Sequence, residues 1–134
     1  MRLWDLRTGK CVRVMEGHAV SMDLACKTAI SGSYDKTVKL WDLGSGLCIE
    51  TYDHGQNAFK VMIHESGSSF LVSDLKGKLK ARALGTDKPL LDADLSTPQT
   101  ILSGIHFAAS HDLSVVATCY FHASRDVLGV SFWR

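Results

Sequence analysis

The tetrapeptide Leu3-Trp4-Asp5-Leu6 returns as Leu40-Trp41-Asp42-Leu43, 37 residues later. Thr8-Gly9-Lys10-Cys11 and Ser45-Gly46-Leu47-Cys48 follow the two copies at the same offset. Gly17-His18 comes after the first copy and Asp53-His54-Gly55 after the second, with His54 placed 36 residues after His18. Two matching features at one period are hard to obtain by chance. The chain must therefore fold as a series of similar units, each burying its apolar surface against its neighbours.

Within one period the apolar residues alternate. Val20, Met22 and Leu24 do so, as do Val38 and Leu40 around Lys39. Period two means strands, and no long stretch shows the three- and four-residue spacing of a helix. Ser31-Gly32-Ser33-Tyr34-Asp35-Lys36-Thr37 between them has the composition of a tight turn. One unit then reads as four strands, at 19–25, 27–32, 37–42 and 47–52. The next reads as 57–63, 69–73, 78–83 and 89–95. Its third strand aligns with Thr37 to Leu43 at an offset of 41. That alignment puts Arg82 and Ala83 where Trp41 and Asp42 stand, so this unit is degenerate. A last unit reads as 102–108, 113–121 and 127–133. In it, Val130-Ser131-Phe132-Trp133 aligns with Val38 to Trp41 at an offset of 92. The extra length falls in 85–100 and 121–127, which carry Gly85, Pro89, Pro98 and the polar run from His122 to Arg125.

Composition narrows the function classes. With 134 residues there is one ordinary core at most. At 46% hydrophobic and 22% charged residues, wholesale disorder is excluded. Fifteen Lys and Arg against fourteen Asp and Glu leave a formal charge of +1, which gives no electrostatic case for nucleic acid or an anionic membrane surface. The longest apolar stretch, Val115 to Phe121, is far short of the ~20 residues of a membrane helix. Cys11, Cys26, Cys48 and Cys119 form no C-x-x-C pair, and no signal-peptide run opens the chain. The expected setting is intracellular, cytoplasmic or nuclear, with reduced thiols.

Gly17-His18, Ser31-Gly32-Ser33-x-Asp35 and Val38-Lys39-Leu40-Trp41-Asp42, taken together, resemble the WD-repeat family of β-propellers. The resemblance implies an all-β fold of four-stranded antiparallel blades around a channel. A unit takes ~40–45 residues and a ring about four to eight blades. The chain therefore reads as an arc of about three blades, with the ring incomplete. Residues 1–16 are a half blade, 17–53 a complete blade, 54–95 a degenerate blade and 96–134 an incomplete one. Such an arc leaves apolar faces and strand edges open, so self-association or pairing with remaining blades is expected.

His18, Ser31 and Asp35 have the residue types of a nucleophilic triad. No G-x-S-x-G elbow surrounds Ser31, however. The resemblance implies a structural tetrad instead. Asp35 fixes the His18 tautomer, His18 meets the Ser31 hydroxyl, and Ser31 meets the Trp41 indole N–H. His106, His111 and His122 have no partner at zinc-ligand spacing, so no metal is expected. Cys11 and Cys48 occupy equivalent places in successive blades, too far apart for a disulfide. No phosphate-binding glycine loop occurs, and no cofactor is expected. The run from Lys76 to Arg82 alternates in charge, as the solvated face of a strand does.

The expectation is a non-catalytic scaffold that binds other proteins or peptides, not an enzyme. Turn residues Tyr34, Lys36 and Lys76 are the candidate contacts on this account. The alternative is a substrate receptor or accessory subunit of a ubiquitin ligase or other enzyme complex. Trp4-Asp5-Leu6-Arg7 resembles the W-D-x-R pattern of WD-repeat ligase receptors, which makes Arg7 the candidate adaptor contact.

Overall fold

The computed structural model describes residues 1–18, 21–25, 27–86, 89–94, 106–110, 112–114, 116–121 and 128–133. For His106 and the strands at 116–121 and 128–133 it describes the backbone alone. Cys26, His111, His122, the side chains of His106 and Cys119, and the stretches 95–105 and 122–127 lie outside the described residues.

Thirteen strands follow one another among the described residues. β1 (Arg2–Asp5) and β2 (Lys10–Val14) form a two-stranded sheet. β3 (Ser21–Ala25), β4 (Thr28–Gly32), β5 (Thr37–Asp42) and β6 (Cys48–Asp53) form a four-stranded one in chain order. β7 (Ala58–Ile63), β8 (Ser69–Asp74), β9 (Lys78–Ala83) and β10 (Pro89–Asp94) form another. β11 (His106–Ala109), β12 (Val116–Phe121) and β13 (Leu128–Trp133) complete the series. Every pairing is antiparallel. The strands expected from the alternating pattern, and the antiparallel sheets of a partial propeller that the resemblance implied, are what the structure shows.

Three apolar clusters glue successive sheets face to face. Met15, Ala29 and Trp41, with Met1, Leu3 and Leu43, join the first sheet to the second. Ile30, Val38, Leu40 and Tyr52 meet Val61, Ile63, Phe70 and Val72 between the second and third. Leu71, Leu79 and Phe107, with Met62 and Ala109, join the third to the last. Adjacent residues of β8 thus serve opposite faces: Phe70 and Val72 one way, Leu71 the other. This is why the strand reads as a continuous apolar run. The approach at β4 and β7 is close. A Cβ built on Gly32 would lie 2.9 Å from Val61 Cγ1 and 3.0 Å from Ala58 Cβ, so no larger residue fits there unless β7 retreats.

The first strands of the second, third and last sheets pack in succession, β3 on β7 and β7 on β11. Alternation alone would bury Met22 and Leu24 of β3. The structure turns the other face inward and leaves those two exposed. The reason is polar. Ser21 Oγ accepts from Val61 N–H at 3.2 Å and Asp23 Oδ2 from Ile63 N–H at 2.9 Å, which supplies acceptors to the free edge of β7. Lys60 of β7 in turn donates to the Phe107 carbonyl of β11 and lies over the Phe107 ring.

The charged run on β9 also differs from a simple solvated face. Lys78 and Lys80 are half-buried and stand opposite Asp94 and Asp92 of β10, where opposite charges support the pairing.

Candidate functional site

The polar residues of the second sheet converge on Ser31, which is fully buried on β4. Trp41, on the neighbouring strand β5, donates its indole N–H to Ser31 Oγ at 2.9 Å. His18, in the connection from β2 to β3, places Nδ1 at 2.7 Å from the same oxygen. Its Nε2 lies 2.8 Å from Thr37 Oγ1 and 3.3 Å from Asp35 Oδ1. Thr37 Oγ1 donates to Asp35 Oδ1 at 2.7 Å. The structure therefore brings His18, Ser31, Asp35 and Trp41 into one chain of contacts, with Thr37 inserted between the imidazole and the carboxylate.

The proton directions follow from the ends. An indole N–H only donates and a carboxylate only accepts. Thr37 spends its proton on Asp35, so it accepts from His18 Nε2–H. Nδ1 is then bare and accepts from the Ser31 hydroxyl, which itself accepts from Trp41. Burial pushes the His18 pKa below its usual 6.5, Asp35 opposes that and Lys39 adds to it. The ring stays neutral, as the Nδ1 acceptor role requires. Slight desolvation raises the Asp35 carboxyl, but the Thr37 hydroxyl and N–H and the nearby His18 outweigh it and hold it below 3.8. His18 adopts a left-handed backbone (φ 59°), a strain that both ring nitrogens help to offset.

Chemically, the arrangement resists a nucleophilic role. The Ser31 hydroxyl has no exposure, accepts from the Trp41 indole and gives its proton to His18 Nδ1. No group of three or more metal-ligating side chains occurs among the described residues. Cys11 and Cys48 are free thiols on β2 and β6, each with Sγ directed to a carbonyl of its own strand.

The next sheet lacks this chain. By strand register Val72 stands where Ser31 does and Arg82 where Trp41 does. His54 is buried, yet neither ring nitrogen has a hydrogen-bond partner. Its Nε2 is 4.0 Å from Asp74 Oδ2, itself buried and unpartnered. Asp74 Oδ1 holds the β8–β9 turn by accepting from Lys76 N–H (2.7 Å) and Lys78 N–H (3.0 Å). Burial, with help from Lys80, pushes the His54 pKa down to about 4.

The candidate contact residues divide between two ends of the sheets. Tyr34, half-exposed, and Lys36 (φ 73°) form the β4–β5 turn. That turn touches the β6–β7 connection, where His54 N–H donates to Lys36 O and Ala58 N–H to Ser33 O. An open pocket of about 230 Å³ lies on the same connection, lined by Gln56, Asn57, Leu75 and Lys76. Tyr34, Lys36 and Lys76 thus share one end. Arg7 does not. β2 runs toward that end to reach His18, so the turn before β2 lies at the other. There Asp5 Oδ1 accepts from Arg7 N–H, and Gly9 N–H (φ 66°) closes on Asp5 O. Asp42 repeats the device with Ser45 and Gly46. The Asp of each Trp-Asp pair is therefore a turn cap. Its signal was the recurring Asp followed four residues later by Gly.

Comparison with known proteins fits this geometry. The family described as WD domain, G-beta repeat matches residues 9–42. That span covers β2, the outer strand of one sheet, and the first three strands of the next. The probable coatomer subunit beta' of Schizosaccharomyces pombe is 29% identical over 101 residues, 72% of this chain and 13% of that protein. Autophagy-related protein 16 of Arabidopsis thaliana is 28% identical over 94 residues, 66% of this chain and 18% of that protein. A probable E3 ubiquitin ligase complex SCF subunit sconB, from Arthroderma benhamiae, is 44% identical over 48 residues, 32% of this chain and 7% of that protein. The chain thus spans less than a fifth of the length of these curated relatives.

Proposed function

From the WD repeat that this chain carries, we propose that it is a protein-interaction scaffold without catalysis of its own. One observation carries the reading. The side chains that could have formed a triad are spent on holding β4, β5 and the β2–β3 connection together, while the adjoining turn exposes Tyr34 and Lys36. Rigid strands with exposed aromatic and cationic turn residues present a contact surface of fixed shape. The partners are other proteins or peptides, and the setting is intracellular. Residues 1–16, 17–53, 54–95 and 96–134 are the successive units of the scaffold. Affinity capture from a cell extract tests the reading. A partner retained by the wild type and lost on Tyr34→Ala/Lys36→Ala, with melting unchanged, supports it. Capture of the same proteins by both rejects it.

A second reading is favoured by the similarity to the ligase subunit sconB and by Arg7, which is exposed in the β1–β2 turn. Here the end opposite Tyr34 docks a ligase adaptor, with Arg7 pairing to an adaptor carboxylate. Arg7→Ala should abolish adaptor pull-down, and equal recovery sinks this reading.

A further inference from the structure

We propose that the pocket between the β6–β7 connection and the β8–β9 turn captures the carboxylate of an acidic side chain on a protein partner. The inference rests on the interaction-module reading and names the chemistry this part of the surface selects. Gln56 and Asn57 line one side of the pocket, Leu75 and Lys76 the other. At about 230 Å³ it is smaller than the ~300–1,000 Å³ of sites for drug-sized ligands, and it suits one side chain.

Three of the four lining residues, Gln56, Asn57 and Lys76, carry side-chain donors, set at the margin of a mostly apolar surface. Among the described residues, the Gln56 and Asn57 amides make no hydrogen bond and the Lys76 ammonium makes no ion pair. A carboxylate has two oxygens that need donors, and an ammonium beside two primary amides supplies them. Leu75 offers methyl groups to the methylenes of the incoming side chain.

Competing charges on this end are already engaged. Asp53 accepts from Gly55 N–H (2.7 Å), Asp35 from Thr37, and Asp74 is buried with Oδ1 taken by two N–H groups. Lys80 is turned to the His54 carbonyl, which leaves Lys76 as the cation of the pocket. A chain-terminal carboxylate is disfavoured. Such groups are taken by clusters of backbone N–H, and here the N–H groups of Gly55 and Lys76 are already spent on Asp53 and Asp74.

The test is a two-dimensional NMR titration of the isotope-labelled chain with three probes. N-acetyl-glutamate N-methylamide should give saturable shifts at Gln56, Asn57, Leu75 and Lys76. N-acetyl-glutamine N-methylamide and N-acetyl-glycine should bind at least five-fold more weakly. Lys76→Gln, and separately Gln56→Glu, should weaken the glutamate probe at least five-fold with the rest of the spectrum unchanged. No shifts at these residues, equal binding of the glutamine or glycine probe, or indifference to both substitutions overturns the proposal. Carboxylate capture by a chain that binds no protein would strike the module reading and leave the pocket standing. A protein partner held equally by wild type and Lys76→Gln, with no carboxylate shifts, overturns the pocket alone.

Discussion

Ser31→Ala removes one hydroxyl and leaves two buried atoms unpaired, the Trp41 indole N–H and the bare His18 Nδ1. Trp41 is 5% exposed and the His18 side chain 1%, so water cannot readily replace either partner. An unsatisfied buried polar group costs about 1–3 kcal/mol, so the substitution should destabilise by about 2–4 kcal/mol. For a chain of this size that is a fall in Tm of roughly 8–15 °C. Urea unfolding followed by circular dichroism measures it. The same substitution in a Trp41→Phe background should cost about half as much, because only His18 is then left without a partner. The third sheet has already made the joint exchange, with Val72 and Arg82 in place of the serine and tryptophan. A Ser31→Ala chain within about 0.5 kcal/mol of wild type, or equal costs in both backgrounds, would refute the reasoning.

Two further outcomes follow from the packing. His54 has a folded pKa of about 4 against the usual 6.5, so the unfolded chain takes up the proton first. The stability this withholds is fully present above pH 6.5 and is lost as pH falls toward 4, by about 3 kcal/mol. His54→Leu should flatten that part of a stability–pH curve, and an unchanged slope contradicts the assignment. Gly32→Ala forces Val61 and Ala58 away from β4 and should cost about 1–3 kcal/mol by urea titration; a neutral effect would mean that β4 and β7 do not approach as described.

Much of the strand order was legible because each strand alternates or runs apolar between Gly-rich turns. The meeting of His18, Ser31, Asp35 and Trp41 was legible only through the family pattern, since the residues span 24 positions and lie in two strands and two connections. Thr37 escaped notice because a threonine opening a strand looks like any other β-former. The inward face of β3 was hidden for a different reason. Ser21 and Asp23 are turned inward and half-buried against the backbone donors of β7, a demand set 40 residues away that local periodicity does not register. His54 shows the limit of repeat alignment. It holds the histidine position of the second sheet's His18, but its partners along the strands have changed, and with them its chemistry.

The most direct measurement is NMR of the His18 imidazole and the Trp41 indole at neutral pH. The account predicts a neutral ring protonated at Nε2, an indole N–H slow to exchange with solvent, and Overhauser contacts from the Trp41 side chain to Leu3 of β1 and to Met15 just after β2. A ring protonated at Nδ1, or an indole N–H that exchanges freely with no such contacts from the side chain, would contradict it.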